Sequence, residues 1–162
     1  MTTLNEIYSE RILELAANIP RCERLANPDA TATAHSKLCG STVTVDITML
    51  GDVITDYGQK VKACLLGQSS AAAVGAHAVG ATAEEIRSVA RQMRHMLKHD
   101  GPPPSDKWKD LEVLEPVRDF RARHASTLLV FDALEDAIAQ IEANRGEGAD
   151  ATATSAQNTV DA

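Results

Sequence analysis

Val43, Val45, Ile47 and Met49 alternate with Thr44, Asp46 and Thr48, and Leu50-Gly51-Asp52 follows directly. Apolar residues at period two mark a strand with one buried face, and the Gly-Asp pair is a turn signal. Val53 to Ala63 then returns as the partner strand, which commits this stretch to an antiparallel hairpin. Its register is open to two readings. A two-residue turn sets Val43, Val45 and Ile47 against Lys60, Gly58 and Asp56, whereas a three-residue turn sets the apolar side against Val53, Thr55, Tyr57 and Val61. The second makes the better buried face. The hairpin is flanked by Cys39 and Cys64, so either register brings the two thiols near each other, in direct opposition in the first and about one residue off in the second.

Around the hairpin the chain reads mostly as helix. Leu4 to Ala17 carries Leu4, Ile7, Tyr8, Ile12 and Leu15 largely on one side, with Thr3 and Glu6 as a capping box. Pro20 and Asn27-Pro28 mark a connection, and Ala30 to His35 is a weak first strand that completes a three-stranded meander. Gln68 to Val79 is alanine-rich and helical up to Gly80. Thr82 and Glu85 cap a helix with Ile86, Val89, Met93 and Met96 or Leu97 on its inner side, ended by Asp100-Gly101 and Pro102 to Pro104. A helical turn over 111–120 leads to a last helix reaching about Asn144, with Leu128, Phe131, Leu134, Ile138 and Ile141 as its stripe. From Arg145 the residues are small and polar with almost nothing to bury, which predicts a domain over 1–144 and a disordered tail over 145–162. The expected class is α+β: a small three-stranded antiparallel sheet packed on one side by helices, with N- and C-terminal helices.

Composition excludes several kinds of partner. The net charge is −7 and the basic residues are scattered, which argues against nucleic acid or an anionic membrane surface. No apolar run has the length of a membrane span. A cytoplasmic protein with reduced thiols is the default, because three cysteines and no export signal do not suit a disulfide framework.

Two thiols at one end of a sheet point to metal, cluster or sulfur chemistry. Cys64 stands just before a helix start, where backbone N–H groups and the helix dipole favour a thiolate; the alternative is a small buried residue. Zinc and iron–sulfur centres want four ligands, so further donors are needed. His124 would fall on the Phe120–Leu128 side of an unbroken helix, either as a packed core histidine or as a ligand. Ser126 also reads as the N-cap of the last helix. His95 and His99, at i and i+4, read as a solvated face without an acidic or thiol companion. His77 reads as packing or surface, Cys22 as ordinary, and His35 as an extra ligand or outer hydrogen-bond donor. Nucleophile elbows, phosphate loops and paired carboxylates are missing from the sequence.

Several segments resemble the U-type iron–sulfur cluster assembly scaffolds, the family of IscU, SufU and the N-terminal domain of NifU. They are LNEIYSERILELA with a later Asn-Pro, Cys39-Gly40-Ser41, the run from Ala63 to Ala71 (ACLLGQSSA), Leu114-Glu115-Pro116-Val117, and Arg123 to Leu128 (RHASTL). The likeness covers roughly Leu4 to Ile141. It implies a labile [2Fe–2S] cluster or a Zn²⁺ ion held by cysteines, with a cysteine desulfurase and apo iron–sulfur proteins as partners and no metabolic catalysis. It further implies Cys39 and Cys64 as ligands, with Ser41 where the family has an acidic residue and Ser126 where it has a third cysteine. His124 is then the residue placed to swing in, Ser41 and Ser126 being poor ligands as neutral hydroxyls. With two thiols, a cluster bridging a homodimer stays open. The resemblance also admits a zinc-bound sulfur acceptor that stimulates the desulfurase, and a degenerate member that only binds a partner.

Overall fold

In the computed structural model, residues 9–38 and 40–157 are described, with the side chains of 146–157 set aside. Helix α1 (Glu10–Ala17) precedes strands β1 (Ala30–His35), β2 (Thr42–Leu50) and β3 (Val53–Lys62). Helices α2 (Leu65–His77) and α3 (Ala83–His99), two 3-10 segments (Asp106–Asp119 and Arg121–Arg123) and α4 (His124–Gln157) follow. The three strands form an antiparallel sheet in the order β1-β2-β3, and with the helices this is the α+β class that the sequence predicts.

The hairpin resolves its register by combining both readings. At its tip Leu50 pairs with Val53 and Met49 with Ile54, the spacing of a two-residue turn. An irregularity after Thr48 then shifts the pairing, so that Ile47 faces Tyr57, Val45 faces Gln59 and Val43 faces Val61. One extra residue in β3 is a bulge, and it turns a polar register into the apolar one. Val43, Val45, Ile47 and Tyr57 thereby share the buried face with Gln59.

Gln59 carries an amide into that core, and every bond it makes holds a separate piece of chain. Its Nε2 donates to the carbonyls of Pro20 and Ala71, each at 3.1 Å, and its Oε1 accepts the Tyr57 hydroxyl at 3.1 Å. Burial pushes the Tyr57 phenol far up, so it stays a neutral donor. On the opposite face the fully buried Asp46 is satisfied by Arg24 Nε (2.6 Å), Arg24 Nη2 (3.1 Å), Thr31 Oγ1 (2.6 Å) and the Leu25 N–H (3.0 Å). Burial alone would raise this carboxyl, yet the bonds from Arg24, Thr31 and Leu25 hold it below the ordinary aspartate range. The same connection explains Gly58: a Cβ there would stand 2.2 Å from the Glu23 carbonyl oxygen, so the 18–29 segment can lie on the sheet only over a glycine.

The helix signals are kept with shifted ends. The Thr3–Glu6 capping box lies outside the described residues; α1 is capped by Ser9, whose hydroxyl accepts the Ile12 N–H. Helix α2 begins at Leu65 rather than Gln68, because Cys64 already takes the cap position. Thr82 caps α3 as expected, accepting the Glu85 N–H at 3.0 Å. Glu85 in turn binds Trp108 Nε1 and Lys107 Nζ, each at 2.9 Å. Helix α3 stops at Asp100, which adopts a left-handed φ of 56°. The segment after the prolines starts at Asp106 and is a long 3-10 stretch burying Trp108, Leu111, Leu114 and Val117. Helix α4 covers the sheet with Leu128, Phe131, Leu134, Ile138 and Ile141, and its Gln140 donates to the Thr31 carbonyl of the edge strand at 3.0 Å. Its backbone continues to Gln157, beyond the domain end expected at 144; residues 158–162 lie outside the described part. Among the described residues no helix is long and apolar enough to cross a membrane.

Candidate functional site

Three elements meet at one end of the sheet: the loop joining β1 to β2, the end of β3 running into α2, and the first turn of α4. The first is a tight loop, closed by the Ser36 N–H on the Ser41 carbonyl and the Gly40 N–H on the Ser36 carbonyl, each at 2.8 Å. Gly40 sits at φ +71°, a region glycine enters without penalty. Cys39 belongs to this loop and lies outside the described residues, so its approach to Cys64 is carried forward as a proposal.

Cys64 is the centre of what is described. It is the N-cap of α2, with extended backbone angles (φ −68°, ψ 171°) and a carbonyl that accepts the first helical bond from Gln68 N–H at 2.9 Å. Its own N–H donates to Ser41 Oγ at 3.4 Å, and its half-buried thiol donates to Ser126 Oγ at 3.4 Å. The Ser126 hydroxyl donates onward to the Arg123 carbonyl at 3.2 Å. Ser41 and Ser126 are only 4% and 3% exposed, so both hydroxyls are fixed parts of the site wall. Gly67 is what lets α2 lie against α4: a Cβ there would stand 2.8 Å from Ala63 Cβ and 3.0 Å from the Ser126 carbonyl oxygen.

Ser126 is therefore not the N-cap of the last helix. The 3-10 turn Arg121–Arg123 runs straight into α4 at His124, which places Ser126 inside the first turn with its side chain against Cys64. His124 is buried, as the helical reading required, but its Nε2 lies 3.1 Å from both the Val117 and the Arg118 carbonyl oxygens. Carbonyls only accept, so this nitrogen carries the proton and ties the end of the 3-10 segment to α4. The His124 ring also lines a cleft of about 600 Å³ with His99, Asp100, Arg118 and Arg121, a cleft that Cys64 does not line. The structure thus brings Ser41, Cys64 and Ser126 together and gives His124 other work.

The remaining candidates stay apart from Cys64. His35 is exposed at the end of β1, opposite Thr42. His95 and His99 are exposed, with ring centroids 5.7 Å apart, as a solvated face would have them. His77 meets the Trp108 ring edge-on at 6.0 Å. Cys22 is exposed, and desolvation pushes its thiol up, away from the thiolate that ligation or attack requires. Among the described residues no three His, Cys, Asp or Glu side chains are grouped so as to hold a metal ion.

No protein-family model matches the chain. Its sequence is 24% identical over 139 residues to the zinc-dependent sulfurtransferase SufU of Bacillus subtilis (strain 168), covering 86% of this chain and 94% of that protein. Among solved structures it is similar to a nitrogen-fixing NifU-like protein (N-terminal) from Brucella abortus, with 54% identity, a TM-score of 0.83, and coverage of 85% of this chain and 95% of the other. The fold is shared with a protein described as an iron–sulfur cluster assembly scaffold of the SUF system from Fervidobacterium islandicum AW-1. That similarity has a TM-score of 0.76, 20% identity, and coverage of 84% and 99%.

Proposed function

The chain belongs to the NifU-like N-terminal family of U-type iron–sulfur scaffold proteins, and from that premise we propose that Cys64 receives sulfur from a cysteine desulfurase and, with Cys39, holds a transient [2Fe–2S] cluster for transfer to apo-proteins. The observation that carries this reading is the setting of Cys64: a half-buried thiol at the N-cap of a helix, bonded among the described residues to two hydroxyls, its N–H to Ser41 and its thiol to Ser126. The helix N-terminus favours the sulfur anion, and the Ser126 hydroxyl accepts the thiol hydrogen bond without forming a covalent or metal bond to the sulfur.

Sulfur transfer balances without an oxidant. The Cys64 sulfur attacks the outer sulfur of the donor persulfide, the donor S–S bond breaks, and the donor cysteine leaves as a thiolate that takes up the Cys64 proton. Reduction of that outer sulfur to bridging sulfide draws electrons partly from ferrous iron and partly from an external reductant. The cluster is cargo here, and loose ligation suits a cargo that must leave. The protein acts as an assembly factor rather than a metabolic enzyme, in the cytoplasm, with the desulfurase and recipient apo-proteins as partners. A homodimer would supply four thiolates from two copies.

His124 is assigned a structural role, since serving as a ligand through Nε2 would release both carbonyls it holds. The experiment is anaerobic reconstitution with ferrous iron, cysteine, a cysteine desulfurase and a dithiol reductant, followed by visible absorption and transfer to an apo-ferredoxin. Wild type should form a cluster that moves on, and Cys64→Ala and Cys39→Ala should not. A cluster that survives Cys64→Ala would refute the assignment. A persulfide on Cys64 with no cluster upon adding iron would leave the sulfur-acceptor reading in place of the scaffold. That reading has its own support in the likeness to a sulfurtransferase over most of both chains.

A further inference from the structure

We propose that the open face of the sheet beside Cys64 is the docking surface for an acidic patch on the protein that donates sulfur. The inference rests on Cys64 accepting sulfur, and it adds the chemistry of the partner that brings it. Residues directly opposite in antiparallel strands share a face. His35, Thr42 and Lys62 therefore form one row across the three strands, and Thr33, Thr44 and Lys60 form the next. His35, Thr33, Lys60 and Lys62 are all exposed. The third row, Thr31, Asp46 and Gly58, is where the 18–29 segment crosses the sheet, with the Glu23 carbonyl over Gly58 and Arg24 on Asp46. The uncovered part of the face is thus its Cys64 end, and Lys62 is the last residue of β3 before the Ala63–Cys64 connection to α2. The loop that carries Lys37 joins the same end through Ser41, whose hydroxyl accepts the Cys64 N–H at 3.4 Å.

The charge of this end runs against that of the chain, which is −7 overall. Lys37, Lys60 and Lys62 are exposed and make no ion pair among the described residues. The two carboxylates that the strands place on this face are already taken: Asp46 is buried on Arg24 at 2.6 Å, and Asp56 holds Arg21 at 3.3 Å. On α3, by contrast, Arg87 and Arg94 are spent on Glu142, Asp132 and Glu135 of α4. A donor must bring its sulfur into bonding distance of a half-buried thiol, so its surface has to lie over Lys62. Carboxylates there gain ion pairs and steer the encounter, whereas a basic surface is repelled. Nucleic acid fits less well, because the two open rows hold no Phe, Tyr or Trp on which bases could stack.

The test follows persulfide formation on Cys64 by alkylation and peptide mass spectrometry, without iron, using the full-length protein, cysteine and the desulfurase of the reconstitution. The concentration of the chain is varied at about 50 mM and about 500 mM salt, the second of which screens exposed charges. Lys60→Glu with Lys62→Glu should raise the half-saturating concentration on the order of 10-fold at low salt and within about 2-fold at high salt, with the maximal rate kept. Lys98→Glu with Lys109→Glu makes the same change of net charge on exposed residues of α3 and the 3-10 stretch, and should match wild type. Lys60→Gln with Lys62→Gln, the milder pair should the glutamates prevent folding, should raise it about 3-fold at low salt. A folded Lys60→Glu/Lys62→Glu protein with unchanged half-saturation would overturn the proposal, as would an equal loss in the α3 control. So would a labelled single-stranded DNA oligonucleotide that binds wild type and not the Lys60→Glu/Lys62→Glu protein, which would make this a nucleic-acid face. Wild type that gains no persulfide would refute the function of Cys64 and the docking face with it, whereas persulfide formed equally on wild type and variant refutes the face alone.

Discussion

Gly67→Ala is the most direct probe of how the site is built into the fold, because the added methyl has nowhere to go. It would stand 2.8 Å from Ala63 Cβ and 3.0 Å from the Ser126 carbonyl oxygen, where ordinary contact begins near 3.4 Å. Both neighbours are rigid, one fixed to the backbone and the other part of it, so α2 and the first turn of α4 must separate by several tenths of an ångström. Two effects oppose each other. Alanine in a helix interior gains about 1 kcal/mol over glycine, and overpacking of this kind costs about 1–3 kcal/mol. The net destabilisation is about 0–2 kcal/mol, which lowers Tm by up to about 8 °C in a chain of this size. The same separation pulls Cys64 away from Ser126, so alkylation of Cys64 by iodoacetamide under native conditions, followed by peptide mass spectrometry to distinguish it from Cys22 and Cys39, should quicken several-fold. A Tm raised by the bare propensity gain, with unchanged alkylation of Cys64, would show that the α2–α4 contact does not set the thiol's position.

Three further outcomes follow from the packing. Gln59→Leu strips the Pro20 and Ala71 carbonyls and the Tyr57 hydroxyl of their partner; a loss of about 2–5 kcal/mol is expected from chemical denaturation, and a change under 1 kcal/mol would mean that these groups find other partners. Asp46 has its pKa held below the unfolded value, so its stabilisation is complete above about pH 4, the unfolded aspartate value, and drains away as pH falls through the lower folded value. The urea midpoint of Asp46→Asn should lie below wild type at pH 7, and the gap should close toward pH 3; a gap that stays constant with pH would sink the ionised-pair account. Among the described side chains the apolar core ends at Ile141, so a chain shortened by 146–162 should melt within about 2 °C of wild type; a larger drop would place the domain boundary beyond 144.

Where local chemistry decides an element, the sequence was readable. The Val43–Met49 alternation, the Thr82–Glu85 capping box, the ATATAH strand and the stripe of α4 all rest on residue type and period, and each is found where the pattern puts it. What escaped depends on partners distant along the chain. Gln59 looks like one more polar residue of a strand until Pro20 and Ala71 are brought to it. The bulge near Thr55 is invisible to alternation, because it exists to reconcile a two-residue turn with an apolar register. Asp46 gave no sign of burial, because Arg24, Thr31 and Leu25 reach it from the preceding segment. In the site, proximity of Cys64 to the 123–128 segment followed from family likeness alone, and the N-cap reading of Ser126 failed because residue type could not show that a 3-10 turn starts α4 early.

The site and the fold share atoms in a way that separates what is held from what is free. Every group around Cys64 has a structural bond of its own: the Ser41 hydroxyl takes the Cys64 N–H, the Ser126 hydroxyl is anchored on Arg123, and Gly67 admits α4. Among the described groups, the Cys64 sulfur is the one held only by a bond it can give up, a weak thiol-to-hydroxyl contact at 3.4 Å. If Cys64 carries sulfur as proposed, this wall of fixed hydroxyls would keep the position of the sulfur constant while it changes partners, from proton to sulfane sulfur to iron. A wall of thiolates or imidazoles would bind the metal more tightly and delay each exchange. Under the proposed function, the scarcity of soft donors among the described residues around Cys64 is a gain for transfer, because a cargo held by few ligands leaves more readily.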